Sequence, residues 1–404
     1  MSIPVPVVPS FAPSPITLTS VRGVRAAGIA AGIKTSGLPD VALLVADEPM
    51  ACAGLFTQNH FAAAPVAVTR EHLAKTGGRV RALVVNSGNA NACTGGAGEA
   101  HAREMCELTA RLVGCPIEQV LVCSTGVIGV PLPMDKLRTG IAAAFRALSS
   151  ELEAGRRFLQ AIQTTDAFPK EAGATSGLAG AAHIAGVCKG AGMIHPNMAT
   201  MLAFVATDLA LTATELSTAL PAIAARSFNA VHVDTHTSTN DTFLLLATGA
   251  TRSEPGWQQA IERVAHRLAW LIARDGEGAT KVTTIEVRGA TDDAAAKSIA
   301  NHVASSALVR TALFGNDPNW GRFVSQVGNC PEVRLPRALR CVLQGIEVFA
   351  AGEPTAFDRG AASTAMARED VRLELQLEDG PGRAIVMTSD LGYRYVQVNA
   401  EYTT

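Results

Sequence analysis

Two hydrophobic periods, one of strands and one of helices, alternate along this 404-residue chain. Residues 41–46 and 80–86 are apolar, β-branched runs, the second ending in Asn86-Ser87-Gly88, and both predict buried strands. Met105, Leu108 and Leu112 share one face of a helix expected near 97–113. Leu137, Ile141, Phe145 and Leu148 mark another, entered through Pro131 and Pro133. The clearest helix is 257–273, where Trp257, Ile261, Val264, Leu268 and Leu271 recur at helical spacing and Gly276 can close it. Beyond it, 282–288 and 371–377 alternate strictly, and Glu378-Asp379-Gly380-Pro381-Gly382 predicts a hairpin turn into 384–387. This change of texture sets a domain boundary near 280, and the Pro-rich stretch 1–21 reads as an arm.

Composition narrows the picture. Hydrophobic residues make up 48% and aromatics only 5%, so the core is built from small aliphatic side chains. Thirty-four basic residues against 36 acidic ones leave a net charge of −2, which excludes a nucleic-acid clamp. Three uncharged runs (1–21, 172–188 and 190–207) are broken by prolines or by Gly, Thr, Ser and His, so neither an export signal nor a membrane span is expected. The eight cysteines show no CxxC and read as reduced thiols of a soluble, cytoplasmic protein.

Candidate chemistry is sparse by residue type alone. His232, Asp234 and His236 alternate, so a strand would carry all three metal-ligand types on one side. No second ligand cluster accompanies them; the segment reads as a polar strand end, and no metal is assigned. Gly95-Gly96-Ala97-Gly98 lacks the dinucleotide spacing, and no P-loop, G-x-S-x-G or H-E-x-x-H occurs. Ser124-Thr125-Gly126 ends the apolar run 120–123, where a hydroxyl and a backbone N–H could donate to an oxyanion. Thr200 opens the apolar run 201–205. Taken singly, these two features are a turn and a core-strand threonine.

Longer motifs change that reading. K-G-A-G-M-I-H-P-N-M-A-T-M-L at 189–202 resembles the self-processing segment of the glutamate N-acetyltransferase family, the ornithine acetyltransferases of arginine biosynthesis. Further matches follow in family order: RAAGIAAGIK at 25–34, AGLFTQN at 53–59, NSGNANACTG at 86–95, CSTG at 123–126 and TTDAFPK at 164–170. STNDT at 238–242, TALFGNDPNWGR at 311–322 and NAEYTT at 399–404 complete the set, so the resemblance spans nearly the whole chain. Asp234-Thr235-His236-Thr237 departs from the small or acidic residues more usual there.

The resemblance implies an α/β fold: an αββα sandwich like that of N-terminal-nucleophile enzymes, with a second, smaller α/β domain. The arm would be 1–21, the catalytic domain 22–280, and the smaller domain 281–404, with its tail returning to the active site. It also implies self-cleavage between Ala199 and Thr200, giving chains 1–199 and 200–404. Thr200 would then supply both the nucleophilic hydroxyl and, as a freed α-amine of pKa ~7.7–8.0, its own base. Thr125 and Gly126 match the oxyanion hole; Thr164, Lys189, Thr200, Glu277, Asn399 and Thr404 match substrate-binding positions. Lys189 suits a substrate carboxylate and Glu277 a side-chain ammonium.

The implied reaction is ping-pong acetyl transfer from N2-acetyl-L-ornithine to L-glutamate without a cofactor, with acetyl-CoA open as a co-substrate. The implied partners are these small molecules and a heterotetramer of two α and two β chains, with no nucleic acid and no membrane. Two alternatives remain: a self-processing aminopeptidase or amidase of the same fold, and a metal-binding module built on His232, Asp234 and His236.

Overall fold

The computed structural model describes residues 13–176, 182–195, 201–253 and 255–401. Strands β1 (Val24–Ile29) and β2 (Val41–Phe56) precede helix α1 (Ala64–Thr76). Strand β3 (Arg79–Asn89), helix α2 (Gly95–Val113), strand β4 (Val120–Val127) and helices α3 (Met134–Arg146) and α4 (Leu152–Ile162) follow. Next come β5 (Lys170–Ser176), β6 (Ala182–Lys189), β7 (Leu202–Leu209), α5 (Ala213–Ala225), β8 (Val231–His232), β9 (Thr242–Thr251) and α6 (Trp257–Arg274). The last part holds β10 (Val282–Ala290), α7 (Asp293–Ser305), α8 (Ala307–Phe314), α9 (Trp320–Gly328), β11 (Arg340–Leu343) and β12 (Ile346–Ala350). It closes with β13 (Glu353–Pro354), α10 (Arg359–Met366), β14 (Asp370–Gln376), β15 (Gly382–Ser389) and α11 (Tyr393–Glu401).

The chain divides into two compact units. Among the described residues the larger comprises 13–229 and 236–272; the smaller comprises 230–235 and 273–401. In the larger unit an eight-stranded sheet runs β4-β3-β2-β9-β7-β6-β5, with β1 also paired to β2. The long strand β2 joins two halves. Its first part pairs with β1 and β3, its second with β9, and the register shifts between Val45 and Met50, where Pro49 removes a ladder donor.

Alternation then sorts the side chains into layers. Leu44, Leu83, Val85 and Leu121 from one half share a core with Val187, Leu202, Phe204 and Leu246 from the other, joined by Phe158 of α4. On the opposite face of the first half, Leu43, Val84 and Val122 pack with Met105 of α2 and Leu137 and Ile141 of α3. On the opposite face of the second half, a Cβ at Gly186 would meet Leu268 and Val264 of α6 at 2.7 and 2.9 Å, so only glycine lets that helix sit so close. Helices thus cover the outer faces while the inner faces share one interior, which is the expected αββα arrangement.

The smaller unit holds a seven-stranded sheet, β13-β12-β11-β14-β10-β15-β8, whose Ile285, Val287 and Leu373 pack on Ile299 of α7, Leu313 of α8 and Phe323 of α9. Here the expected hairpin is corrected. β14 and β15 do not pair; β10 lies between them, parallel to β14 and antiparallel to β15. The turn residues instead cross the end of β10: Leu377 and Asp379 donate to the carbonyls of Arg288 and Gly289, and a Cβ at Gly382 would lie 2.1 Å from the Asp292 carbonyl oxygen. The expected His232–His236 strand is likewise cut short, since β8 ends at His232 and Thr235 has φ +64°. His232 Nε2 lies 2.9 Å from Asn301 Oδ1. Among the described residues no helix is long and apolar enough to cross a membrane.

Candidate active site

The strand carrying the expected oxyanion donors ends in a constrained backbone. β4 runs parallel to β3 with Ser87 opposite Thr125 and Gly88 opposite Gly126, and the register breaks at Asn89. Thr125 and Gly126 therefore lie inside β4, not beyond its end. Gly126 has φ +134°, and a Cβ there would stand 2.4 Å from the carbonyl carbon of Gly88. No other residue fits this bulge. Buried polar groups brace it from behind: Ser124 Oγ donates to Asn86 Oδ1 at 2.6 Å, and Asn86 Nδ2 donates to the Asn89 carbonyl at 2.9 Å. An N–H and a hydroxyl so fixed are the kind of preorganised donors an acyl-transfer oxyanion needs.

A charged cluster completes this part of the larger unit. Asp166 Oδ1 accepts from Lys170 Nζ at 2.5 Å and from the Gly190 amide at 2.8 Å, while Oδ2 accepts from the Thr164 amide at 2.9 Å. The side chains of Asp166 and Lys170 are fully buried. Burial pushes the Asp166 carboxyl up, but Lys170, Lys189 and the Gly190 amide outweigh it and hold the group well below the usual carboxylate range. One carboxylate thereby ties Thr164 to the residue following Lys189.

Lys34 joins the cluster to the strand end. Asp40 fixes its loop by accepting from the amides of Ala31, Ile33 and Lys34. The Lys34 stem lies where a Cβ at Gly88 would touch it, 3.1 Å from Cγ, and Nζ donates to the Pro39 carbonyl at 2.7 Å. Burial lowers its pKa to about 8, opposed by Asp40 and Asp166 and assisted by Lys189. Residue reasoning missed Lys34, Asp166 and Lys170, although all three lie inside quoted motifs. For Lys34 the usable signal was a lone charge at the end of an apolar stretch.

Thr200 and Ala199 lie outside the described residues, as does Thr404. Met201, the next described residue, is buried and donates its amide to Asp241 Oδ1 at 3.1 Å. In the smaller unit Glu277 and Asn399 are brought together, Asn399 Nδ2 donating to Glu277 Oε2 at 2.9 Å. Two glycines make that loop possible. A Cβ at Gly276 would meet Ser389 Oγ at 2.3 Å, and one at Gly278 (φ +76°) the Tyr395 amide nitrogen at 2.6 Å.

A braced, glycine-only strand end in an αββα unit suits an enzyme of the acyl-transfer class. A profile of the ArgJ family matches residues 25–404. The chain is 46% identical over 395 residues to the arginine biosynthesis bifunctional protein ArgJ of Rhodopirellula baltica, covering 95% of this chain and 96% of that one. With the protein of the same description from Thermus thermophilus it shares 46% identity over 385 residues, 95% of this chain and 98% of the other. A solved chain of the ornithine acetyltransferase from Mycobacterium tuberculosis, in complex with ornithine, is 38% identical and covers 46% of this chain and 96% of itself, with a TM-score of 0.42. The chain belongs to the ArgJ family. It is an acyltransferase of amino-acid biosynthesis.

Proposed function

We propose that this enzyme moves the acetyl group of N2-acetyl-L-ornithine to L-glutamate by a ping-pong route through acetyl-Thr200, after cutting its own chain between Ala199 and Thr200. A threonine hydroxyl needs an adjacent base, and cleavage supplies one on the same residue. Thr200 attacks the acetyl carbonyl, the Thr125 hydroxyl and the Gly126 amide receive the oxyanion, and ornithine leaves with the proton held by the α-amine. Glutamate then takes the acetyl group in the reverse sense. Lys189 is assigned to a substrate carboxylate and Glu277, with Asn399, to the ornithine side-chain ammonium; Thr164 and Thr404 complete the substrate contacts.

The observation that carries the reading is the Gly88–Gly126 strand end, a backbone shape reserved for glycine that leaves Thr125 and Gly126 in one fixed arrangement. The relatives' shared description as bifunctional supports a second activity, and acetyl-CoA-dependent acetylation of glutamate is the one we assign. The two fragments are proposed to stay together as an α2β2 assembly in the cytoplasm. Ornithine release measured with and without glutamate tests the reaction. A transferase needs the acceptor for turnover, whereas an amidase of the same fold turns over equally without it.

A further inference from the structure

The segment Ser238–Thr242 is buried throughout, yet the chemistry above gives it no task. Its polar groups reach two different strands. Asn240 Nδ2 donates to the Ser124 carbonyl at 2.9 Å and to the Ala90 carbonyl at 2.6 Å, gripping β4 one residue before Thr125. Asp241 Oδ1 accepts from the Met201 amide at 3.1 Å, and the Thr242 amide donates to the Met201 carbonyl at 3.0 Å, gripping the chain at the start of β7. Thr57 holds the segment itself, its Oγ1 donating to the Ser238 carbonyl at 2.6 Å and its amide to the Asp241 carbonyl at 2.9 Å.

Asp241 Oδ2 is buried with no hydrogen-bond partner among the described residues. Burial raises the carboxyl well above the usual carboxylate range, against the pull of the Met201 amide, Lys189 and the nearby Ser238 and Thr57 hydroxyls.

We propose that Asn240 and Asp241 are positioning residues for acyl transfer: one pentapeptide clamps both the strand bearing Thr125 and the chain entering β7, and so sets the separation of oxyanion donors and nucleophile. This rests on Thr200 being that nucleophile. A misplacement of about 1 Å at a reacting centre is worth roughly 10²-fold in rate.

The test compares Asp241→Ala, Asp241→Asn, Asn240→Ala and Thr200→Ala, with kcat and KM for acetylornithine taken on the cleaved fraction of the Asp241 and Asn240 variants, activity taken on the Thr200→Ala protein as purified, and the melting temperature alongside. Asp241→Ala should lose about 10²-fold in kcat with KM within about threefold, as misplaced groups at a reacting centre require. Asp241→Asn keeps the acceptor and cannot ionise, so it should stay within about tenfold of wild type. A folded Asp241→Ala with wild-type kcat overturns the clamp, and so does a folded Asp241→Asn as impaired as the alanine variant. If Asp241→Ala does not fold, Asn240→Ala, which releases the Ser124 and Ala90 carbonyls and leaves Asp241 in place, must show the same loss in kcat at constant KM, and a wild-type kcat there overturns the clamp. An active Thr200→Ala defeats the nucleophile assignment instead. An inactive Thr200→Ala beside an unimpaired Asp241→Ala defeats the clamp alone.

Discussion

The two polar pairs at the assigned substrate positions are built in opposite ways. In the larger unit the Asp166–Lys170 pair is fully buried, joins the Thr164 and Gly190 amides through one carboxylate, and leaves no side-chain freedom. In the smaller unit the Glu277–Asn399 contact sits at the surface, with Asn399 exposed on α11 and Glu277 on a loop. A buried ion pair is a poor source of stability compared with packed apolar groups, because desolvation offsets the Coulomb gain. It does fix geometry, since breaking it is expensive. An exposed amide–carboxylate contact costs little to exchange for a ligand's ammonium. The buried pair is therefore built to hold atoms in place, while the exposed contact is open to exchange.

Removing one partner of the buried pair should have the largest effect. Asp166→Ala leaves Lys170 buried without its carboxylate and should cost about 3–5 kcal/mol of stability in urea unfolding. Because the Asp166 carboxyl is held low, its contribution is present above the unfolded value of ~3.9 and is lost as pH falls through the lower folded value. The gap between wild type and variant should therefore close only in strong acid. A gap that closes near neutrality would refute the assignment.

Thr125→Ala comes next, with a loss of ~2.7–4 kcal/mol in transition-state stabilisation that appears in kcat and hardly in KM. Steady-state kinetics on the cleaved variant would show it, and an unchanged kcat would remove Thr125 from the mechanism. Glu277→Gln should act on the other side of the comparison, raising the KM for acetylornithine about tenfold, or ~1.4 kcal/mol, while self-cleavage proceeds at the wild-type rate. Equal KM values would return Glu277 to a loop-shaping role.

The smallest effect is a slope. Lys34 titrates near 8 when folded and near ~10.4 when unfolded, so the folded protein binds fewer protons between those values. Its term makes stability rise with pH across that window and is flat below it. Lys34→Met should remove this part of the slope, which unfolding curves collected from pH 7 to 10 would reveal.

Local pattern made much of the fold legible. The 257–273 stripe became α6, the 282–288 alternation became β10, and 41–46 and 80–86 became parts of β2 and β3. What failed was pairing order. Two alternating segments around a Gly-Pro-Gly turn resemble a hairpin, and nothing within them says that β10, far earlier in the chain, will insert between them. The site divides in the same way. Thr125 and Gly126 could be nominated because a motif carries them whole, whereas Lys34 and Asp166 come together only when the 131 residues between them fold back. A lone lysine in an apolar run does not name its partner.

The central claim is that Thr200 becomes an N-terminus. Intact mass of purified wild-type protein, followed by N-terminal sequencing, measures it directly beside Thr200→Ala. The account predicts two fragments in the wild type, 1–199 and 200–404, the second starting at Thr200, and one uncut, inactive chain in the variant with an unchanged melting temperature. An active wild-type enzyme that runs as a single uncut chain would contradict it.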